Sequence, residues 1–211
     1  MKFYTAYYGQ RYAETVSLLV QQATVGKKSE RVLLAGIIVA EKKTSAEKTV
    51  VSEWKDFFEE ELLVAVARNP DKALERLKKR MLKKAMIKED GEPCSFAMMV
   101  CVGDRAMLIT RGECNIYLLQ RRFSKVYIEC LDVENGEMVV LEPGARILLT
   151  AGVLEEYFRM EAVAAGLGKE RITGEKQLAR RLEDLGELEG GKDDRAAMIV
   201  VCCEQEERGI E

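Results

Sequence analysis

The chain has 211 residues, with 33 lysines and arginines against 36 aspartates and glutamates, a net charge of −3 and no histidine. This near balance of charge provides no general attraction to nucleic acid or to an anionic membrane surface. The absence of histidine excludes Ser-His-Asp and Cys-His catalytic triads, histidine-ligated zinc and imidazole acid–base catalysis. Any chemistry has to rest on carboxylates, lysine, arginine, cysteine, hydroxyl groups or a bound metal.

The cysteines and the apolar segments bear on the compartment in which the protein works. None of the six cysteines are spaced as Cys-x-x-Cys, which argues against a disulfide framework and against a thiolate zinc site. The longest strongly apolar run, residues 32–40, is far shorter than a membrane span, and the N-terminal segment has no continuous apolar core. We expect reduced, mostly buried thiols in a soluble, cytoplasmic protein.

The first regular element in the hydrophobic pattern is a strand. Residues 31–40 are apolar, rich in β-branched side chains and bounded by charges, which is typical of a fully buried strand. Thr44 and Glu47 then form a capping box, and apolar residues follow at helical spacing. This pattern predicts an amphipathic helix over about residues 45–67.

A second amphipathic helix follows directly. Asn69-Pro70-Asp71 supplies a cap, a proline suited to the first turn and an acid near the positive end of the helix dipole, so the pattern predicts a helix over about residues 70–88. Its basic run, residues 77–84, is most simply the solvated face of this helix. A phosphate-binding or partner-binding surface is the alternative.

The second half of the chain begins with a different pattern. Residues 94–151 consist of short runs rich in Val, Ile, Tyr and Met, separated by turn signals, and predict an antiparallel meander of about five strands. A helical stretch over about 154–188 is broken near 166–174, and a strand over 196–203 follows. Because this order is not a βαβ alternation, it indicates the α+β class, with helices packed against antiparallel sheets.

The domain organisation follows from the same pattern. No linker, repeat or low-complexity tract interrupts the chain, so we expect a single domain over residues 1–203 and a disordered tail over 204–211. The sequence Gly166-Leu167-Gly168-Lys169 lacks the spacing of a phosphate-binding loop and is better explained as a helix terminus. Cys202 and Cys203 are adjacent in a strand, point to opposite faces and so cannot jointly bind a metal.

Three segments carry a family resemblance, and they occur in the family's order. Residues 103–120, GDRAMLITRGECNIYLLQ, include Gly112–Leu118, which is similar to a GDSR-x-YL motif. Residues 141–153, LEPGARILLTAGV, look like a turn and strand that lead to an SDG motif. Residues 192–201, KDDRAAMIVV, look like a last strand opened by two acids. Together they resemble the PPM family of metal-dependent Ser/Thr protein phosphatases.

Two further segments near the start of the chain are similar to the family more faintly. Residues 9–14, GQRYAE, are similar to its G-x-x-R and NED entry with one residue fewer, and Arg11 would then be the phosphate-contacting arginine. The alternative makes Arg11 a surface residue of the first strand. Residues 39–50 lie where its DG-M-GG and GE-x-AS elements would be. The resemblance implies a PPM-phosphatase-like sandwich of two antiparallel β-sheets flanked by α-helices, in α/β/β/α layers. It also implies hydrolysis of phosphoserine and phosphothreonine through two divalent metals bridged by carboxylates.

The chain departs from the family at the positions of the metal-binding carboxylates. The NED position carries Glu14, and the DG pair appears as Glu41-Lys42. The SDG motif has become Ala151-Gly152, with no carboxylate, and only the pair Asp193-Asp194 matches a family ligand. Since carboxylates have to neutralise two dications, these losses predict a vestigial site, with Glu14, Glu41, Asp193 and Asp194 as its remaining candidate ligands.

We therefore predict a catalytically inactive domain that needs no cofactor and acts by binding a protein, not nucleic acid or a membrane. The alternative is an atypical Mn- or Mg-dependent Ser/Thr phosphatase with a reduced metal site, and a structural module without a dedicated ligand is a third possibility. Lys42 is a proposed substitute for the missing cations, with its ammonium within about 4 Å of Asp193, Asp194 or Glu41. The competing interpretation makes Lys42 a solvated loop residue.

Overall fold

Two antiparallel sheets of five strands each form the centre of the fold. The structure is a computed structural model that describes residues 1–9, 16–26, 29–39, 45–85, 94–122, 125–168, 171–189 and 197–204. The strands of the first sheet are, in spatial order, β1 (Lys2–Gly9), β10 (Ala197–Glu204), β9 (Arg146–Thr150), β6 (Asn115–Arg122) and β7 (Lys125–Leu131). Those of the second sheet are β2 (Val16–Val25), β3 (Glu30–Val39), β4 (Ser95–Val102), β5 (Arg105–Arg111) and β8 (Glu137–Val140).

Helices cover the outer face of each sheet. The second sheet is covered by α1 (Ser45–Asp56), a π-helical turn (Phe57–Leu62), α2 (Leu63–Arg68) and α3 (Pro70–Ala85). The first sheet is covered by α4 (Leu154–Tyr157), α5 (Met160–Leu167) and α6 (Glu175–Glu189). The α/β/β/α layers and the α+β class predicted from the sequence are confirmed.

Three apolar cores hold these layers together, one between the sheets and one under each helical layer. Strand alternation divides the side chains of a buried strand between two of them. Cys203 belongs to the core between the sheets, whereas Cys202 faces α4–α6. The prediction that these two thiols point to opposite faces is therefore confirmed.

The predicted helix over 45–67 contains a turn that the pattern does not reveal. The π-helical turn places an extra residue in the helix, and Phe57 and Phe58 are both buried although they are adjacent. Phe57 also makes an edge-on contact with Trp54, with ring centroids 5.6 Å apart. The turn thus lets one helix bury consecutive aromatic side chains against the second sheet.

The predicted meander over 94–151 is wrong in its connectivity and its strand count. This segment forms six strands, and the chain crosses between the sheets from β5 to β6, from β7 to β8 and from β8 to β9. Turn signals mark where the chain reverses but do not say which sheet the next strand joins. The hydrophobic pattern also predicts no element for residues 2–9 and 16–25, which form the edge strands β1 and β2.

Other predicted boundaries agree with the structure to within a few residues. α5 ends at Leu167 with Gly168 as its C-cap, so the glycines there do mark a helix terminus. On α3, Arg80 is exposed and pairs with Glu61 at 2.6 Å, as expected for a solvated basic face. β10 extends one residue past the predicted boundary at 203, through Glu204, and residues 205–211 lie outside the described residues.

The cysteines are free, and four of the six are buried: Cys101, Cys114, Cys202 and Cys203. Cys130 is exposed, which agrees with the expectation of mostly, but not entirely, buried thiols. Within the described part of the chain, no helix is long and apolar enough to cross a lipid bilayer.

A glycine in the second sheet provides a test of packing between β3 and β4. Gly36 pairs with Met98, and a Cβ at position 36 would overlap Met98 Sδ in a fully buried site. We expect Gly36→Ala to lower the free energy of unfolding by about 1–3 kcal/mol because the core has to be overpacked. Urea unfolding, followed by the fluorescence of the single buried tryptophan, Trp54, measures this.

The matched control is Gly166→Ala in α5, where a Cβ meets no heavy atom within 4 Å. Since alanine favours a helix over glycine, this variant should be neutral or more stable by up to about 1 kcal/mol. Equal destabilisation of the two variants would show that the contact with Met98 does not limit the size of the side chain at position 36.

Candidate functional site

One end of the sandwich joins the segments that carry the predicted site residues. β1 ends and β10 begins there with the paired residues Gly9 and Ala197. β2 begins and β3 ends with the paired residues Val16 and Val39. This end of the sandwich, which we call the site end, is defined by the strand termini Gly9, Val16, Val39, Ser95, Asn115, Thr150 and Ala197.

Hydrogen bonds and strand pairing show that the termini of both sheets meet at the site end. Ser95 pairs with Val39 in the second sheet, and its Oγ accepts a hydrogen bond from Glu113 N at 3.2 Å. Glu113 lies just before β6 of the first sheet, where Asn115 pairs with Thr150. The connection from β5 to β6 therefore ties the two sheets together at this end.

The candidate residues Arg11, Glu14, Glu41, Lys42, Asp193 and Asp194 all lie outside the described residues. Their roles, including the ion pair of Lys42 with an acid, stay predictions. The described strand ends nevertheless constrain the topology. The chain leaves and re-enters the sandwich at the site end on either side of residues 10–15, and it leaves β3 and enters β10 there.

Ala151, which stands where the resemblance places a ligand aspartate, belongs to the core between the sheets. Its side chain is 9% exposed, and its backbone N donates to Ala197 O at 3.0 Å. The hydroxyl of Thr150 donates to the carbonyl of Gly152 at 2.6 Å. Position 151 therefore contributes a packed methyl group to the site end, and the carbonyl of the following residue, Gly152, already accepts a hydrogen bond.

The turn that resembles the family's GDSR motif is shaped by close contacts. Gly112 has φ +67°, and a Cβ there would overlap the side chain of Ser95. Cys114 follows it, and burial raises the pKa of its thiol to about 12. Asn115 donates from Nδ2 to Glu113 O at 3.0 Å. At neutral pH this turn presents a protonated thiol and an amide beside the carboxylate of Glu113, so it offers a single anionic side chain.

Tyr117 belongs to the segment that resembles the GDSR-x-YL motif, but the sequence does not predict that it organises the chain beyond Gly152. Its hydroxyl accepts a hydrogen bond from Leu154 N and donates one to Glu155 Oε2, both at 2.9 Å. Burial raises the pKa of this phenol well above its ordinary value. A tyrosine in an apolar strand signals that its hydroxyl needs a partner, but its partner lies 38 residues along the chain and cannot be inferred from spacing.

The described residues at the site end do not fit a pair of divalent cations. Mn²⁺ and Mg²⁺ prefer oxygen ligands, above all carboxylates. The side chains at positions 151 and 114 are a methyl group and a protonated thiol. Within the described ranges, no group of three or more His, Cys, Asp or Glu side chains could hold a metal. We therefore derive no catalytic step through a metal.

Comparison in sequence gives no match with any protein-family model or with any curated protein. Solved structures do match over nearly the whole chain. The serine/threonine phosphatase of S. agalactiae has 13% sequence identity and a TM-score of 0.58, with 96% of this chain and 99% of that chain covered. The serine/threonine phosphatase Stp1 of Staphylococcus aureus has 12% identity and a TM-score of 0.58, with 97% and 95% covered.

A third match is the phosphatase domain of the cell fate determinant SpoIIE from Bacillus subtilis. It has 10% identity and a TM-score of 0.56, and the alignment covers 100% of this chain and 95% of that chain. Identities this low establish shared architecture, not shared chemistry. The fold expected from the PPM resemblance is thereby confirmed: the chain has the fold of the PPM (PP2C) Ser/Thr phosphatases.

Proposed function

We propose that this PPM-fold domain is catalytically inactive and acts as a protein-binding or regulatory module. The observation that supports this most directly is at position 151. A packed methyl group occupies the end of β9, where the resemblance places a metal-binding aspartate. Because the methyl group of Ala151 is packed in the core between the sheets, an acidic side chain from a neighbouring position cannot occupy the same space as a ligand.

The charge at the other family positions supports the same proposal. Two divalent cations a few ångströms apart repel each other strongly, and several carboxylates have to compensate that repulsion. This chain retains Asp193 at one family position and Glu14 and Glu41 near two others. Lys42, next to Glu41, adds a positive charge where the metals would need negative charge. These changes act together to weaken metal binding.

The second candidate is an atypical Mn- or Mg-dependent Ser/Thr phosphatase with a reduced metal site. The topology of the site end supports this second candidate. β1, β2, β3 and β10 all begin or end there, so the segments with Glu14, Glu41 and Asp193 are attached to the same end of the sandwich. Such an enzyme would need its acids to bind at least one cation without any help from position 151.

The partner of the inactive module would be a protein. A net charge of −3 gives the chain no electrostatic attraction to nucleic acid or to an anionic membrane. The proposal therefore includes a cytoplasmic protein without a cofactor, whose partner is recognised through the surface of the fold.

An activity assay distinguishes the two candidates. With Mn²⁺ or Mg²⁺, the purified protein should hydrolyse para-nitrophenyl phosphate and a phosphothreonine peptide no faster than the blank, because its ligand set is incomplete. Ala151→Asp alone should not restore turnover, since metal ligands act as a unit. An active phosphatase of this fold, assayed in parallel, shows that the conditions permit turnover.

The result that would support the second candidate is turnover that depends on Mn²⁺ and disappears in Asp193→Ala. The fluorescence of buried Trp54 shows whether that variant is still folded. Turnover that does not depend on Mn²⁺ and persists in Asp193→Ala would point to a contaminating phosphatase. Repeating the assay on that variant after a further purification step identifies such a contaminant.

A further inference from the structure

The edge strand β2 lacks the charges that usually protect the edge of a sheet. Its ten residues, VSLLVQQATV, include no charged side chain, although 33% of the whole chain is charged. Natural proteins protect exposed edges with charges, proline, bulges or short strands, because an open edge can pair with another strand. β2 is also long, so it offers an extended, unprotected edge.

The other three edge strands differ from β2. β1 starts with Lys2, and β7 carries Lys125 and Glu129. β8 is only four residues long and begins with Glu137. Among the described residues, β2 pairs with β3 alone, and none of the backbone hydrogen bonds outside regular elements involves β2. Within the described ranges, no other strand therefore lies along its outer edge.

Two exposed apolar side chains lie along the same side of the sandwich. Tyr7 of β1 is 69% exposed and Val20 of β2 is 38% exposed. The amide of Gln22 donates to Thr5 Oγ1 at 3.2 Å, which places β1 beside β2. Because the two strands run in opposite directions, a step of two residues from this contact brings Tyr7 level with Val20.

Strand alternation shows that both side chains are on the faces that the two sheets turn toward each other. Leu18 packs against the core between the sheets, and Val20 shares its face. Phe3 belongs to that same core, and Tyr7 shares the face of Phe3. Tyr7 and Val20 thus extend the core between the sheets to the solvent-exposed side of the sandwich formed by β1 and β2. We call the surface formed by β2, Tyr7 and Val20 the β2 wall.

We propose that the β2 wall binds a second copy of this chain, with the two β2 strands paired antiparallel across a twofold axis. In such a pair, residues near the axis face their own copies, so a charged residue there would face a like charge. A strand for self-pairing has to be free of charge, as β2 is. A strand that pairs with a different protein can carry charges, because the partner can place opposite charges across from them. Pairing with a different protein would therefore not require an uncharged β2.

The side-chain faces fix the possible registers. Directly paired residues point to the same face of a sheet, so the twofold axis has to pass through a residue of β2 rather than between two. Val20 is the exposed apolar residue nearest the middle of the strand, and we place the axis there. The two second sheets then form one continuous sheet of ten strands, and the Tyr7 side chains of the two copies approach above the Val20 pair.

The test is the oligomeric state, measured by light scattering on a size-exclusion column across micromolar to submillimolar chain concentrations. The wild-type chain should have twice the mass of one chain. Val20→Lys and Val20→Glu each place like charges opposite each other and should weaken the dimer at least about tenfold. An equimolar mixture of the two variants should form a mixed dimer, because a lysine then faces a glutamate.

The control is Val140→Lys, which changes an exposed valine on β8, the other edge of the same sheet. This variant should stay dimeric, and the fluorescence of Trp54 verifies that each variant is folded. A wild-type chain that is monomeric at every concentration would overturn the proposal. So would a dimer that survives in Val20→Lys, or one that Val140→Lys dissociates in its place. The dimer does not depend on whether the domain has phosphatase activity.

Discussion

Replacement of Arg146 by methionine is expected to lower the free energy of unfolding by about 3–5 kcal/mol. The guanidinium of Arg146 pairs with Glu204 at 2.9 Å, and the two side chains are only 4% and 9% exposed. It also donates to the carbonyls of Gly144 and Ala145, at 2.7 and 3.2 Å. Without it, the carboxylate of Glu204 stays buried with less compensation, and the carbonyls lose a donor.

A comparable ion pair on the surface provides the control. Arg105 pairs with Glu75 at 2.8 Å, with side chains that are 35% and 57% exposed. Because solvent screens this pair, Arg105→Met should cost only about 0–1 kcal/mol. Urea unfolding followed by Trp54 fluorescence measures both variants. Equal losses in the two would show that burial of the Arg146 pair does not matter.

A double variant separates the charge of Glu204 from the packing of the site. In Arg146→Met with Glu204→Leu, neither charge is left buried, so the loss should be smaller than the sum of the two single losses. Strict additivity would mean that the two side chains stabilise the fold independently, and the ion pair would then not explain the effect of Arg146→Met.

The parts of the fold that the sequence predicts well are those whose burial produces a local pattern. β3 is buried on both faces and is recognisable as an apolar run, and the helices of both outer layers carry apolar stripes. Sheet membership is a different matter. Whether β8 pairs with β5 or with β7 depends on contacts far apart in sequence, which no local pattern records.

The candidate site divides in the same way. The resemblance predicts that Ala151 stands in place of an acid, and the structure adds that its methyl group is packed between the sheets. The contact of Tyr117 with Glu155 was not predictable, because it joins a strand to a short helix that lies 38 residues further along the chain. A sequence match identifies residue types at a site, whereas partners across the fold require the three-dimensional arrangement.

The proposed absence of a complete metal site is compatible with a stable PPM-type fold, because the apolar cores lie between the layers and not at the strand ends. The three apolar clusters extend along the whole sandwich, and the site end is closed by backbone contacts such as that of Ala151 with Ala197. Burial of apolar surface supplies most of the driving force for folding. A change of side chains at the strand ends would therefore leave these three cores in place.

The buried thiols are expected to make the fold unstable at alkaline pH. Burial raises the pKa of Cys114, Cys202 and Cys203 to about 12, from an ordinary value of 9.0. Below pH 9 these thiols are protonated in both the folded and the unfolded chain, so they have no effect on the pH dependence of stability. As the pH rises past 9, the unfolded chain releases protons that the folded chain retains, and unfolding becomes more favourable.

The loss should reach about 1.4 kcal/mol per thiol one pH unit above 9 and continue toward pH 12. Burial also raises the pKa of Cys101, so the four thiols together should cost about 6 kcal/mol at that pH. Urea unfolding at a series of pH values between about 8 and 10 measures the slope. Cys203→Ala removes one of these four buried thiols and should reduce this alkaline slope by about a quarter, whatever its effect on stability at neutral pH. Cys130→Ala, at an exposed position, should change the slope much less. An unchanged slope in Cys203→Ala would mean that lysine and tyrosine ionisation, and not the buried thiols, sets the alkaline limit of this fold.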